Sequence, residues 1–130
     1  MLDLDDFKQV NDNFGHKIGD RMLQEVAQIM KAQLREYDFL ARYAGDEFVA
    51  IVQGLINTQA VELCERFESA VRVFSHPVRH DESARVGLSA GCAVFGIDGE
   101  TMDELLTAAD QAMYRNKATH KTGRTAAARG

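Results

Sequence analysis

The stretch 39–52, FLARYAGDEFVAIV, limits what this chain can fold into. Two short runs rich in aromatic and β-branched residues, 39–43 and 48–52, flank Ala44-Gly45-Asp46-Glu47. Each run favours a strand. The glycine between them can take the positive φ of a tight turn. The reading is a β-hairpin whose tip carries two adjacent carboxylates, Asp46 and Glu47. A solubilising turn explains one such acid as well as a function does. The tip gains meaning only beside a second acidic cluster, and Asp3-Leu4-Asp5-Asp6 supplies one.

The rest of the chain sets the scaffold. Its 130 residues are enough for one domain with a real core, and a hydrophobic share of 45% argues against disorder. A net charge of −5 argues against a nucleic-acid polymer as partner, although a nucleotide needs only a local cationic or metal site. Cys64 and Cys92 lie within apolar runs without metal-ligand spacing. They read as reduced core residues of a cytoplasmic protein. No signal peptide is visible, and no apolar run is long enough to cross a bilayer. His16, His76, His80 and His120 are scattered and read as structural or surface groups.

Residues 1–4 read as the end of a buried strand, 5–13 as a short polar helix and 14–19 as a connector. A long helix opens at Gly19 or Asp20, with Met22, Leu23, Val26, Ala27, Met30 and Leu34 at helical spacing. After the hairpin, Thr58 is expected to cap a second helix that buries Val61, Cys64, Phe67, Val71 and Phe74. Segments 78–80 and 85–95 read as strands about a polar turn. A last helix starts at Thr101 or Asp103, and the tail 119–130 is expected to fray. The whole chain, 1–130, reads as a single layered α/β domain, with a strand order that these patterns leave open.

Arg42-Tyr43-Ala44-Gly45-Asp46-Glu47-Phe48 resembles the signature of the GGDEF family, the diguanylate cyclase catalytic domains, with alanine for the first glycine. Two further blocks carry the resemblance. Asp3-x-Asp5-x-Phe7-Lys8-x-x-Asn11-Asp12, followed by Phe14-Gly15-His16 and Gly19-Asp20, is similar to the family's first motif. Ala109-Asp110-x-Ala112-Met113-Tyr114-x-x-Lys117 is similar to its last helix. The family has a helix and more strand upstream of the position of Met1, so the resemblance implies that this chain is either a fragment or a naturally shortened member. It implies an α+β fold, the palm-like nucleotide-cyclase architecture with a mainly antiparallel sheet flanked by helices.

It also implies roles. Asp3, Asp46 and the carbonyl of Leu4 would hold Mg²⁺ or Mn²⁺, and Glu47 would be a further ligand or would help deprotonate a ribose hydroxyl. Backbone at Asp6 and Phe7, where a helix opens, would meet phosphate, with Lys8 offsetting charge. Asn11 and Asp20 would read guanine. Lys117 would bind phosphate. The arginine that follows it in the family is replaced by either Lys121 or Arg124, because the Gly-Arg pair comes late here. Arg35 and Asp38, with Arg66, resemble an inhibitory site for product. Each role has a plainer counterpart: solvated strand ends for the acids, a helix cap for Asp20, a helix-end ion pair for Arg35 and Asp38, and a basic helix end for Lys117.

The function so implied is condensation of two GTP molecules into cyclic di-GMP across a homodimer, with product inhibition. An upstream sensory or receiver domain usually assembles that dimer. None is present in this chain, so the fragment is expected to be weakly active or inactive alone. The alternative is a non-catalytic module that binds GTP or cyclic di-GMP as a sensor.

Overall fold

The computed structural model describes residues 1–129, with side chains described as far as His120. Four strands form the main sheet in the order β2-β3-β1-β6. These are β1 (Leu2–Asp5), β2 (Phe39–Ala44), β3 (Glu47–Ile51) and β6 (Gly87–Ala90). All three pairings are antiparallel. A separate hairpin joins β4 (His76–Arg79) to β5 (Glu82–Ala84). The helices are α1 (Phe7–Phe14), α2 (His16–Ala32), α3 (Asn57–Arg72) and α4 (Met102–Arg129). The fold is thus the mixed, mainly antiparallel class that the motifs imply.

Strand β1 is paired on both edges, to β3 and to β6, and all four of its residues are buried. Strand periodicity sends successive side chains to opposite faces. Leu2 and Leu4 accordingly enter the core with Val26, Phe48, Phe67 and Val71. Leu4 is 1% exposed, and its burial is worth about 1.5–3 kcal/mol. Asp3 and Asp5 alternate with these leucines and face the side on which α4 lies. Asn116 of α4 donates to the Ala90 carbonyl at 2.6 Å and ties that helix to β6.

Several boundaries differ from the sequence reading. Gly15, at φ 89, is the whole break between α1 and α2, so α2 begins at His16 and the expected connector is mostly helical. The left-handed backbone of one glycine turns the chain without a loop. Helix α3 starts at Asn57 rather than beyond Thr58, because the Gln59 side chain accepts from the Ile56 N–H at 3.0 Å and caps the start instead. Its buried stripe is Leu63, Phe67 and Val71, while Val61 is exposed. Of the expected strand 85–95 only 87–90 joins the main sheet, and 82–84, read mostly as a polar turn, pairs back on β4 instead.

Gly91 follows β6 where the chain passes under α4. A Cβ built there would lie 2.2 Å from the Met113 nitrogen and 2.4 Å from the Ala109 carbonyl oxygen. Neither backbone atom can yield cheaply. Gly91→Ala should therefore lower stability by about 2–3 kcal/mol, read as a lower urea midpoint, whereas an unchanged midpoint would contradict the close approach.

Candidate active site

The two acidic clusters meet on neighbouring strands. Asp3 lies opposite Glu47 in the β1–β3 register, and the Leu4 N–H donates to the Asp46 carbonyl at 3.1 Å. Gly45 makes the turn possible at φ 37, and Arg42 Nε donates to its carbonyl at 2.7 Å. Ala44 belongs to β2, and among the described residues only Asp6 and His80 combine a side chain with positive φ. Alanine therefore replaces the signature's first glycine without backbone strain.

Lys117 reaches this pair from α4. Its Nζ is 2.7 Å from Asp3 Oδ2 and 3.7 Å from Asp5 Oδ1. Asp3 Oδ1 is buried and has no hydrogen-bond partner. Burial, then the charges of Asp46 and Asp5, hold the Asp3 carboxyl above the ordinary carboxylate range against the pull of Lys117. Burial raises Glu47 too, helped by Asp3, Asp110 and Asp46. For Lys117 burial opposes the charged form, but the Asp3 hydrogen bond and the surrounding carboxylates outweigh it, and its pKa is raised.

An unpartnered buried carboxylate oxygen beside two more acids fits a hard divalent cation, which takes one or two carboxylates and completes its shell from phosphates and water. Among the described residues no three acidic, histidine or cysteine groups form a ready cage. The fit is to a cation shared with a phosphorylated ligand, not to a permanent structural ion.

The other motif residues lie on α1, α2, the segment before β2 and α3. Asp6 precedes α1 in a left-handed conformation, φ 65, and Phe7 and Lys8 form the first turn, with Lys8 exposed. Asn11 lies against Gly19, where a Cβ would overlap its amide. Asp20, the residue after Gly19, is exposed in the second turn of α2 rather than capping it. Arg35 grips Asp38 with two hydrogen bonds, Nε to Oδ2 at 3.0 Å and Nη2 to Oδ1 at 3.1 Å, and lies 4.6 Å over the Tyr37 ring. The Arg35 hydrogen bond holds the Asp38 carboxyl below its ordinary range. Arg66 reaches the Gln33 carbonyl at 3.4 Å, two residues before Arg35. Lys121 and Arg124 lie outside the residues whose side chains are described.

The family model for "Diguanylate cyclase, GGDEF domain" matches residues 1–123. The chain belongs to the GGDEF family. It is 38% identical over 123 residues to the bifunctional diguanylate cyclase/cyclic di-GMP phosphodiesterase MucR of Pseudomonas aeruginosa, covering 95% of this chain and 18% of that protein. It is 40% identical over 121 residues to the diguanylate cyclase DgcS of Shewanella oneidensis, covering 92% of this chain and 38% of that one. The curated relatives are thus much longer than the region they share with it. Among solved structures, the GGDEF domain of PA1120 (TpbB or YfiN) from P. aeruginosa superposes with a TM-score of 0.83 at 31% identity, covering 91% of this chain and 69% of the other. The coiled coil and GGDEF domain of DgcB from Caulobacter crescentus, solved in complex with c-di-GMP, gives 0.78 at 25% identity, covering 91% and 62%.

Sequence reasoning about this GGDEF domain missed a second polar layer. Asp5 is 3% exposed and accepts from Ser89 Oγ at 2.9 and 3.0 Å. His120 Nδ1 lies 3.0 Å from the same hydroxyl, and its Nε2 lies 3.3 Å from Glu68 Oε2. Glu68 in turn accepts from the Ala90 N–H at 3.1 Å. His120 therefore bridges α4 to α3 and β6. The alternation Asp3-x-Asp5 in a buried strand was the available signal, since it sends both acids to one face.

Asp3 and Glu47 bind protons more tightly folded than unfolded. Stability therefore falls as pH rises from the ordinary carboxylate range through their raised values. Asp3→Asn removes one of these groups. Urea melts of parent and variant between about pH 4 and about pH 8 should give a parent-minus-variant stability that declines with pH, and a flat difference would refute the shift. Lys117→Met should cost about 1–3 kcal/mol at neutral pH by leaving Asp3 buried without its cation.

Proposed function

We propose that this chain is the catalytic domain of a diguanylate cyclase. Two GTP-loaded copies face each other, and each ribose 3′-oxygen attacks the other's α-phosphorus in line. A P–O bond forms, the bond to pyrophosphate breaks, and two such steps give cyclic di-GMP and two pyrophosphates. The observation that carries this reading is the meeting of Asp3 with Asp46 and Glu47 around an unpartnered buried carboxylate oxygen.

Mg²⁺ or Mn²⁺ held by Asp3, Asp46 and the Leu4 carbonyl would supply charge neutralisation and acidify the attacking hydroxyl. The chain's own groups do the rest. The backbone at Asp6 and Phe7 offers N–H donors to phosphate, and Lys8 and Lys117 add positive charge. Lys121 or Arg124 would contact the γ-phosphate. Asp20 accepts from the N1–H and 2-amino groups of guanine, and the Asn11 amide completes the edge. Adenine lacks those donors and would leave the carboxylate unpaired. Arg35 and Asp38, with Arg66 nearby, form a product-inhibition site, since guanidinium can stack on guanine and grip phosphate while the carboxylate accepts from the base. One domain contributes half of each reacting pair, so a homodimer is required. In a longer polypeptide an upstream sensory or receiver domain would assemble it.

Ala44 has no positive φ, so the alanine by itself gives no backbone reason to prefer a purely binding module. The deciding experiment incubates the 130-residue chain, and the same chain fused to a dimerising coiled coil, with GTP and Mg²⁺. Chromatography should show cyclic di-GMP, formed faster by the fusion, and Asp46→Asn should cut the rate by about a hundredfold or more. GTP that is bound but unconverted by the fused dimer would favour the sensor instead. If the fusion is active, Arg35→Ala should raise the product concentration needed for half-inhibition by about tenfold.

A further inference from the structure

Lys117 stands between two aspartates and does not divide itself equally. Its Nζ is 2.7 Å from Asp3 Oδ2 and 3.7 Å from Asp5 Oδ1. Yet Asp5 is the deeper of the two, 3% exposed against 8% for Asp3. The carboxylate further from water has the stronger demand for a cation. The lysine stem is flexible enough to carry the ammonium roughly 1 Å inward with little strain. A group on the far side of Asp5 must therefore meet part of that demand.

The Ser89 hydroxyl, fully buried, lies 2.9 and 3.0 Å from the two Asp5 oxygens. It has one proton to give, and among the described residues the Asp5 carboxylate accepts a hydrogen bond from no other group. That proton therefore belongs to Asp5. His120 Nδ1 lies 3.0 Å from the same Oγ, and two lone pairs would repel at that distance. Nδ1 accordingly carries a hydrogen and donates to Ser89 Oγ. It is also 3.5 Å from Asp5 Oδ2. The ring cannot turn over without setting carbon against its partners, because Nε2 lies 3.3 Å from Glu68 Oε2. Glu68 is itself held by the Ala90 N–H at 3.1 Å, and burial keeps its carboxyl above the ordinary range, which favours a proton in the Nε2 contact. His120 follows Lys117 by three residues on α4, so both leave one face of the helix. That face delivers a cation to one side of Asp5 and an N–H donor to the other.

We propose that His120 is a positioning residue for Lys117: by directing the Ser89 proton onto Asp5, it satisfies the inner carboxylate and leaves the Lys117 ammonium to Asp3. Without the Nδ1 donor, the Ser89 hydroxyl is free to turn away, and Asp5 draws Lys117 inward from the acidic centre. The effect is carried by three side chains in series, His120, Ser89 and Asp5, none of which touches substrate. The inference rests on the cyclase reading only where activity is measured, through the phosphate role given there to Lys117.

Crystal structures of the 130-residue chain and its variants test this directly. In His120→Leu, and in the milder Ser89→Ala, Lys117 Nζ should lie nearer Asp5 than Asp3, reversing the parent's order. His120→Asn puts an amide N–H where Nδ1 stands while losing the Glu68 contact, and it should keep Lys117 on Asp3. In the coiled-coil fusion, His120→Leu should raise the KM for GTP about fivefold, and His120→Asn should leave it near the parent value. Adding His120→Leu to Lys117→Met should change nothing further, because the first acts through the second. Lys117 still on Asp3 in both His120→Leu and Ser89→Ala would overturn the proposal. So would equal losses in His120→Leu and His120→Asn, which would reduce His120 to a tie between α4 and α3. If the fusion makes no product, the cyclase reading fails while the crystal structures still decide where Lys117 sits.

Discussion

Everything that positions the candidate site passes through the pairing of β1 on both its edges. Four residues fix the hairpin tip on one side and β6 on the other, and β6 in turn carries α4. The alternation Leu-Asp-Leu-Asp divides the labour within that strand. The leucines are buried in the core, and the aspartates are held by the same backbone on the opposite face. A slip of one residue would exchange the two sets and put carboxylates into the hydrophobic core, so register and chemistry are specified together.

The acidic face is stabilised by a graded set of partners. Asp5, deeper and fully satisfied by Ser89, has Lys117 and His120 close by. Asp3 keeps one oxygen on Lys117 and the other without a partner. Charge is thus largely balanced one step inward from the place where an unbalanced oxygen remains. That asymmetry is the property expected of a site kept ready for an exogenous cation, at a cost in stability that Lys117 reduces.

Much of this was readable from residue order. The hairpin, the long α2 stripe, the last helix and the acids at positions 3 and 46 follow from strand alternation, helical spacing and one turn glycine. Other features had no local signal. The expected strand 85–95 shrank to 87–90, and the polar turn at 82–84 became a strand by pairing with β4, a choice made by tertiary contacts. The role of His120 depends on Glu68 and Ser89, which are distant in sequence and adjacent only after folding. Its isolation in the sequence left it readable only as a structural or surface group. Cys64 and Cys92 are free but half-buried rather than fully in the core; Cys64 packs against it, and burial pushes its thiol up to about 12.

The unstrained backbone at Ala44 bears on how such domains are recognised. Of the two positions that the signature assigns to glycine, only the second adopts a left-handed conformation here, at φ 37. The first lies at a register shift between β2 and β3 and has no positive φ, so alanine fits there without left-handed strain. A search pattern that demands both glycines would discard this chain, which belongs to the family. One that weights the second glycine and the two acids after it follows the physics of the turn.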